Sequence, residues 1–299
     1  MTRLTDQDVL RAVLDRTGLV VFAYDAEGTI TMAQGKGHEV MCTESPEAML
    51  GQSAFSGVRH DLVENIEHLK LALTGEKFTA IGRYNEDGLY LERSFTPTLD
   101  QSGKVVEVLG VGIDVTERER AIRERDVLIA VGKAMSEKTE LETLLGRVAH
   151  LMIPALGDYC TIDLADEDGR LRQSSVAHAD PILEDRLFEL QRRYSHDIRP
   201  DYLPFRVLRS RETVLISQVT DDMLVSGASD ERELELFRAL APRSCVLIPL
   251  LTGGCAFGVL TLAWSTSTRR YSERDLPLLE ELARRVALAV DYDRLSRIL

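Results

Sequence analysis

The sequence lacks the long apolar runs and the cysteine pairs that mark membrane-spanning and disulfide-bonded proteins. No segment approaches the roughly 20 consecutive apolar residues that a membrane-spanning helix needs, and the charged, amphipathic N-terminus is unlike a signal peptide. Cysteines are few, at positions 42, 160, 245 and 255, and none belongs to a Cys-x-x-Cys pair or stands beside histidines at zinc-like spacing. We therefore expect a cytoplasmic protein with reduced thiols, no metal site and no association with a membrane.

Positive charge is also in short supply. The chain has 36 lysines and arginines against 49 aspartates and glutamates, which gives a formal net charge of −13. A nonspecific nucleic-acid binder needs a basic face, so this balance argues against nucleic acid as a partner. It favours a well-hydrated surface instead.

Motifs of the common catalytic classes are missing as well. The stretch GKGHEV at 35–40 contains glycines but lacks the Gly-Lys-Ser/Thr ending of a phosphate-binding loop. His150 lies on a predicted helix, yet no acidic neighbour follows it and no ATP-binding segment comes later, which argues against a histidine kinase. We find no paired metal-binding aspartate motif of the phosphatase type and no Gly-Gly-Asp-Glu-Phe pattern. The sequence predicts a protein that is not an enzyme.

What the chain does contain is enough length and apolar content for two domains. Its 299 residues fit two domains of ordinary size, and an apolar content of 44% lets each bury a core. Residues 1–116 form the first domain. Alternating and turn-bounded segments predict two strands, then helices, then three strands, an α+β order with a central antiparallel sheet and flanking helices.

Two local patterns in this first domain give it a resemblance to a known family. YDAEGTI at 24–30 resembles the first hairpin of PAS domains, and GVGIDVTERERA at 110–121 resembles their Asp-x-Thr ending, at Asp114 and Thr116. The resemblance covers residues 10–120. It implies that Asp114 and Thr116 couple the domain core to the helix that follows. The residue types suit this role, because aspartate and threonine side chains readily bond helix-end amides.

A polar helix is predicted at 117–137, joining the two domains. It alternates acids with arginines, and Ala121, Leu128 and Met135 recur every seven residues. Such a stripe fits either a helix packed on its own domain or a short coiled coil. We favour a parallel homodimer whose seam includes two residues from this helix and two from the closing helix: Leu128, Met135, Leu282 and Val286.

Residues 138–299 are predicted to form the second α+β domain. SCVLIPLL at 244–251 and GCAFGVLTLAW at 254–264 predict an apolar hairpin, and YSERDLPLLEELARRVALAVD at 271–291 predicts a long closing helix. Over residues 138–293 this order resembles a GAF domain. The Asn-Lys-Phe-Asp-Glu signature of cyclic-nucleotide-binding members and a bilin-attachment context are both absent from the sequence.

Candidate ligand contacts follow from the two resemblances, although the same residues could serve only as core. In the PAS-like domain ligands would lie between the sheet and the middle helices, against Phe22, Tyr24, Met32, Met41, Phe55, Phe78 and Phe95. In the GAF-like domain the candidates are Tyr159, Cys160, His178, Cys245, Phe257 and Trp264. Strand alternation places Cys255, Phe257 and Val259 on one face of the last strand and Leu260, Leu262 and Trp264 on the other.

No cofactor is predicted, with haem held through His60 or His68 as the alternative. The PAS and GAF resemblances together imply a non-catalytic sensory module of the kind found in bacterial signal transduction, before a histidine kinase or serine phosphatase output domain. A small molecule or a partner would then bias the packing of the two domains, and the junction helices would pass the change to that output domain. The alternative is a scaffold for dimerisation whose pockets are filled by side chains.

Overall fold

The structure, a computed structural model, describes residues 14, 18–37, 45–55, 63–83, 89–166, 170–194 and 202–298. The chain divides into two compact units, Met1–Arg120 and Ala121–Leu299. Each contains a five-stranded antiparallel sheet with flanking helices, so the predicted α+β class with two such domains is confirmed. No helix in the described ranges combines the length and apolar character of a membrane span.

The first unit is built on a sheet of strand order β2-β1-β5-β4-β3. Its strands are β1 (Leu19–Asp25), β2 (Ile30–Gln34), β3 (Phe78–Arg83), β4 (Tyr90–Leu99) and β5 (Val105–Asp114). Two described helices lie between β2 and β3, namely α1 (Pro46–Met49) and α2 (Val63–Leu73). Residues Leu69 and Ala72 of α2 pack on the sheet against Tyr24, Phe95 and Val108 to form the core.

The predicted turn between β1 and β2 has a clear local cause. The Asp25 carboxylate accepts hydrogen bonds from the main-chain N–H groups of Glu27 (3.0 Å) and Thr29 (2.7 Å), an arrangement that aspartate favours in turns. Gly28 closes the turn with φ +82°, a conformation that glycine adopts without a steric penalty. These hydrogen bonds lower the pKa of Asp25, since they stabilise its charged form.

Helix α3 (Thr116–Ser136) begins in the first unit and runs into the second. Its Val127, Val131 and Ala134 are buried in the core of the second unit. This half of the predicted linker is therefore a packed part of the second unit.

The second unit has a sheet of strand order β7-β6-β10-β9-β8. Its strands are β6 (Tyr159–Ala165), β7 (Leu171–His178), β8 (Val214–Ile216), β9 (Ser244–Thr252) and β10 (Cys255–Trp264). Its helices are α4 (Leu141–Met152), α5 (Pro181–Tyr194), α6 (Leu203–Ser210), α7 (Asp221–Gly227), α8 (Glu231–Leu240) and α9 (Leu276–Ile298). Helices α3, α4 and α9 pack on one face of the sheet, and the buried side chains between them and that face form the main core of the unit. Helices α5, α6 and α8 form smaller clusters with residues of the other sheet face.

Two residues of the predicted dimer seam belong to this main core. Leu282 and Val286 are both 0% exposed and pack with α3, α4 and the sheet. A side chain that is fully enclosed by its own domain cannot contact a second copy, so the assignment of Leu282 and Val286 to a seam is wrong. Leu128 and Met135 are half-buried and pack against the same core.

The predicted alternation of side chains between the two faces of β10 is interrupted at Phe257. The pairing of β10 with β9 shifts between Ala256 and Gly258, so Phe257 is an extra residue without a partner on β9, a β-bulge. Phe257 consequently packs against the main core, with the Arg294 guanidinium 4.9 Å from its ring centre. Next to it, Gly258 lies so close to β6 that a Cβ atom there would be 2.1 Å from the Asp163 carbonyl oxygen, which explains the need for glycine.

Candidate functional site: a cavity on the second sheet

A cavity of about 220 Å³ lies on the sheet face that is opposite to the main core of the second unit. Its floor is formed by alternate residues of the strands: Tyr159, Thr161, Asp163, Leu171, Ile216, Cys245, Leu247 and Thr261. The residues between them on β6, Cys160 and Ile162, face the main core. Most of the wall is apolar and comes from α5–α8, including Leu187, Leu190, Leu203, Pro204, Phe205, Met223, Leu224, Phe237 and Leu240.

Three polar side chains are grouped on the floor. Thr161 and Thr261 are opposite each other in the β6–β10 pairing, and Asp163 is two residues further along β6. The Thr161 hydroxyl donates a long hydrogen bond of 3.5 Å to Oδ2 of Asp163. Burial raises the pKa of Asp163 to about 7, and this one weak hydrogen bond offsets it only in part. Asp163 still retains accessible surface, which we assign to the cavity that it lines.

The Thr261 hydroxyl oxygen is buried and has no hydrogen-bond partner within the described part of the chain. A buried hydroxyl without a hydrogen-bond partner destabilises the folded protein by about 1–3 kcal/mol. Replacing both partners of a hydrogen bond by apolar groups costs less than this. A polar atom of this kind on the floor of a cavity marks a place where an occupant could bond.

With the cavity empty, Thr261→Val is expected to raise the free energy of unfolding of the second unit by about 1 kcal/mol, because it removes an unbonded buried hydroxyl and keeps the shape. The check is urea unfolding followed by the fluorescence of Trp264, the only tryptophan in the chain. Thr161→Val is the matched comparison, since it removes a hydroxyl that is bonded. A Thr261→Val variant that loses stability would show that this hydroxyl is satisfied in the folded protein.

Two further carboxylates secure the cavity wall. Asp230 accepts a hydrogen bond from the Tyr194 hydroxyl (2.8 Å) and one from the main-chain N–H of Glu233 (2.8 Å), so it caps α8 and ties that helix to α5. Glu233 is 1% exposed and accepts bonds from the main-chain N–H and the hydroxyl of Ser229, both at 2.7 Å. Both carboxylates are therefore engaged in fixing the wall.

The phenol of Tyr159 and the thiol of Cys245 lie close together on the floor. Burial is the main cause that raises the pKa of Tyr159 far above its ordinary value, and Cys245 and Tyr202 add to the shift. Burial also raises the pKa of Cys245 to about 12. Because the thiolate is the reactive form, this cysteine is an inert lining group and not a nucleophile.

The structure separates the residues predicted for this site. Tyr159 and Cys245 line the cavity, whereas Cys160, Phe257 and Trp264 pack in or against the main core on the opposite face and do not line it. His178 is not a lining residue either. Its ring stacks on Tyr159 with centroids 5.8 Å apart, its Nδ1 accepts the main-chain N–H of Asp180 (2.8 Å), and burial lowers its pKa.

The polar centre of the site was not predicted, although the sequence contains a signal for it. Asp163, Thr161 and the predicted Tyr159 have the same parity along YCTIDLA, so they share one strand face. The wall residues carried no comparable signal, because they come from four separate helices, α5–α8, and no single periodic pattern relates them.

In the first unit, the predicted ligand contacts are part of the core or of its edge. Tyr24 and Phe95 are buried with ring centroids 6.4 Å apart, and Phe22 and Phe55 pack against the same cluster. Phe78 stacks on the alternative haem ligand His68, with ring centroids 4.2 Å apart. Met32 is half-buried on β2. Met41 and His60 lie outside the described residues.

The predicted coupling residues are brought together where β5 meets α3. Oδ1 of Asp114 accepts the main-chain N–H of Thr116 (2.9 Å), and the Thr116 hydroxyl oxygen accepts the N–H of Tyr90 at the start of β4 (2.8 Å). The main-chain N–H of Val115 donates to the carbonyl of Tyr90 (2.9 Å). The start of α3 is thus hydrogen-bonded to the first residue of β4, the strand next to β5.

Thr116→Val is expected to lower the free energy of unfolding of the first unit by about 1–2 kcal/mol, since the Tyr90 amide loses its acceptor. Differential scanning calorimetry measures the change, and Thr98→Val, at an exposed position of β4, is the control. Equal transition temperatures for the two variants would contradict a role for the Thr116 hydroxyl in holding the junction.

Comparison with known proteins agrees with this architecture. The sequence model of the GAF domain matches residues 140–290, and that of a PAS fold matches residues 14–120. A comparison with curated proteins found no match. The chain therefore belongs to the GAF domain family, with a PAS fold ahead of its GAF domain, and the resemblances seen in the sequence are confirmed.

Similar solved structures include sensor proteins. The GAF domain from a phosphoenolpyruvate-protein phosphotransferase of Coxiella burnetii is 16% identical with TM-score 0.48, over 60% of this chain and 99% of that one. The chromophore-binding domain of a bacteriophytochrome from R. palustris is 12% identical with TM-score 0.41, over 93% and 95%. The photosensory core module of a Stigmatella aurantiaca phytochrome is 15% identical with TM-score 0.38, over 94% and 59%.

Proposed function

We propose that the chain is a non-catalytic sensory module in which a small molecule occupies the cavity of the GAF domain. The observation that carries this proposal is the cavity itself, with an apolar wall and a few grouped polar side chains on its floor. Small-molecule sites in proteins have this composition. The inert thiol of Cys245 and the structural use of Asp230 and Glu233 agree with binding in place of catalysis.

The proposed signal passes from the cavity through the sheet to the helices on its other face. Neighbouring residues of β6 alternate between the cavity floor and the main core, so an occupant that displaces Thr161 or Asp163 also strains the packing of Cys160 and Ile162. Helices α3 and α9 both pack in that core. Asp114 and Thr116 tie the start of α3 to the PAS domain, which supports a role in coupling. An output domain, a histidine kinase or a phosphatase, would read the change in these helices.

The proposed assembly is a homodimer whose interface is formed by exposed residues of α9 and α3. On α9, three exposed apolar residues recur at i, i+4 and i+7, namely Leu288, Tyr292 and Leu295, with Tyr292 77% exposed. Ile129 on α3 is 62% exposed. These residues, and not Leu282 and Val286, present apolar surface that a second copy could cover.

The proposal is tested by mass spectrometry of small molecules released from the purified, denatured protein. Wild type is expected to release a defined molecule that Thr261→Phe, which fills the cavity from its floor, does not retain. Thr261→Val is the matched control, because it removes the same hydroxyl without filling space. Release of the same molecule by Thr261→Phe would place the binding site elsewhere. An empty wild type that also binds nothing from a small-molecule extract would favour a ligand-free scaffold.

A further inference from the structure

The charge of the side chains around the cavity restricts the ligands that it can take. None of the described lining residues is a lysine, arginine or histidine. The arginines of α8 are engaged elsewhere, Arg232 with Glu189 at 2.8 Å and Arg238 with Asp221 at 2.7 Å. A carboxylate or phosphate group of a ligand would thus find no compensating charge among the described residues, and an unpaired anion in a poorly solvated space is strongly unfavourable.

The cavity does contain an acid that is free to serve a ligand. Asp163 lies on the floor with a single long hydrogen bond, from Thr161 at 3.5 Å, whereas Asp230 and Glu233 are each bonded at 2.7–2.8 Å to groups of the wall. A carboxylate accepts several hydrogen bonds, so most of the accepting capacity of Asp163 is unused. The Thr261 hydroxyl is a second bonding group next to it.

Aromatic side chains form a large share of the same lining: Tyr159, Tyr194, Tyr202, Phe205 and Phe237. Tyr202 and Phe205 meet edge to face with centroids 6.5 Å apart, and Tyr202 is close enough to Tyr159 to affect its pKa. Aromatic ring faces attract organic cations, most strongly where water is excluded. Aromatic rings, one available carboxylate and no described basic group together constitute the chemistry that recognises an amine.

We infer that the ligand of the GAF cavity is a small organic cation, a protonated amine on an aromatic or apolar body, whose N–H groups bond Asp163. This inference rests on the proposed function, since it names the chemical class of the ligand at the same site. Binding of the cation would favour the carboxylate form of Asp163, and the protonated fraction of this side chain would release its proton to solvent.

A pH dependence follows from this exchange. With the pKa of Asp163 at about 7, the ionised fraction falls about tenfold between pH 8 and pH 6, and the affinity for a cation should fall with it. The other titratable groups that line the cavity are Tyr159, Tyr194, Tyr202, Cys245 and Glu233. The pKa values of Tyr159, Tyr194 and Cys245 are raised from ordinary values that already exceed 8, so these groups stay protonated across that range. An alkylammonium, with a pKa near the lysine value of about 10.4, also stays protonated.

The test is titration calorimetry of the whole chain with three probes of similar size: 2-phenylethylamine, 2-phenylethanol and phenylacetate. The ammonium is expected to bind at least tenfold more tightly than the other two at pH 8 and about tenfold more weakly at pH 6 than at pH 8. Asp163→Asn should abolish both the preference for the cation and the pH dependence. Asp185→Asn, at an exposed position of α5, should change neither.

The possible failures are distinguishable. If the alcohol or the carboxylate binds as tightly as the amine, or if Asp163→Asn retains the preference, the inference is wrong and the cavity remains a ligand site. A flat pH profile of wild-type amine binding contradicts it without reliance on any variant. If none of the three probes binds at millimolar concentration, the inference is wrong, whereas the proposed function is overturned only by an empty wild type that also binds nothing from a small-molecule extract.

Discussion

Asp163→Asn is expected to stabilise the second unit at high pH, with a gain in the free energy of unfolding that is about 2–3 kcal/mol larger at pH 8 than at pH 5. Burial raises the pKa of Asp163 from 3.8 to about 7 in the folded protein. The folded state therefore holds its proton more tightly than the unfolded state. The stability contributed by the protonated form is fully present below pH 3.8 and is lost as pH rises to about 7. Asparagine is neutral throughout and avoids that loss.

The measurement is urea unfolding at pH 5 and pH 8, followed by the fluorescence of Trp264, which is buried in the second unit. Asp185→Asn controls for a general effect of removing one negative charge from a chain of net charge −13. A gain from Asp163→Asn that is equal at the two pH values would show that the side chain is ionised in the folded protein at both.

Val286→Glu is expected to unfold the second unit, with a loss of more than about 4 kcal/mol. Val286 is 0% exposed and is surrounded by the apolar side chains of α3, α4 and the sheet, so a carboxylate there would be buried without a partner. Tyr292→Glu, on the exposed face of the same helix, should leave folding intact and weaken the proposed dimer.

Trp264 fluorescence and light scattering separate the two effects. The expected result is loss of the native fluorescence signal for Val286→Glu, and a native signal with a reduced mass for Tyr292→Glu. If the Val286→Glu protein is folded but monomeric, Val286 lies in the dimer interface and not in the core. An unchanged dimer in Tyr292→Glu would place the seam away from the end of α9.

The strands of both domains could be predicted from the sequence because their signals are local. The Asp25-Ala26-Glu27-Gly28 turn contains the side chain that bonds its own amides and the glycine that its backbone requires. The junction at Asp114 and Thr116 was predicted from the resemblance to PAS domains. Its hydrogen bond between Asp114 and Thr116 is local in sequence, whereas the bond of Thr116 to Tyr90 is not.

The errors concern properties that depend on distant parts of the chain. The repeat of Leu282 and Val286 along α9 fits burial within a domain as well as burial between two copies, and only the packing of α3 and α4 decides between them. Phe257 packs against the main core because the strand register shifts beside Gly258, which lies close to β6. No local sequence pattern reveals that close approach. The cavity wall is assembled from four separate helices, so its aromatic residues showed no common spacing.

The most direct test of the central claim, that the GAF cavity binds a small molecule, is methyl NMR of the whole chain with 2-phenylethylamine. Magnetisation transfer from the bound probe is predicted to reach the methyl groups of Leu187, Leu190, Leu224 and Leu240, which line the cavity. It should not reach Leu260, Leu262 and Leu282, which lie in the core across the sheet. Transfer to the second group and not to the first would contradict the account.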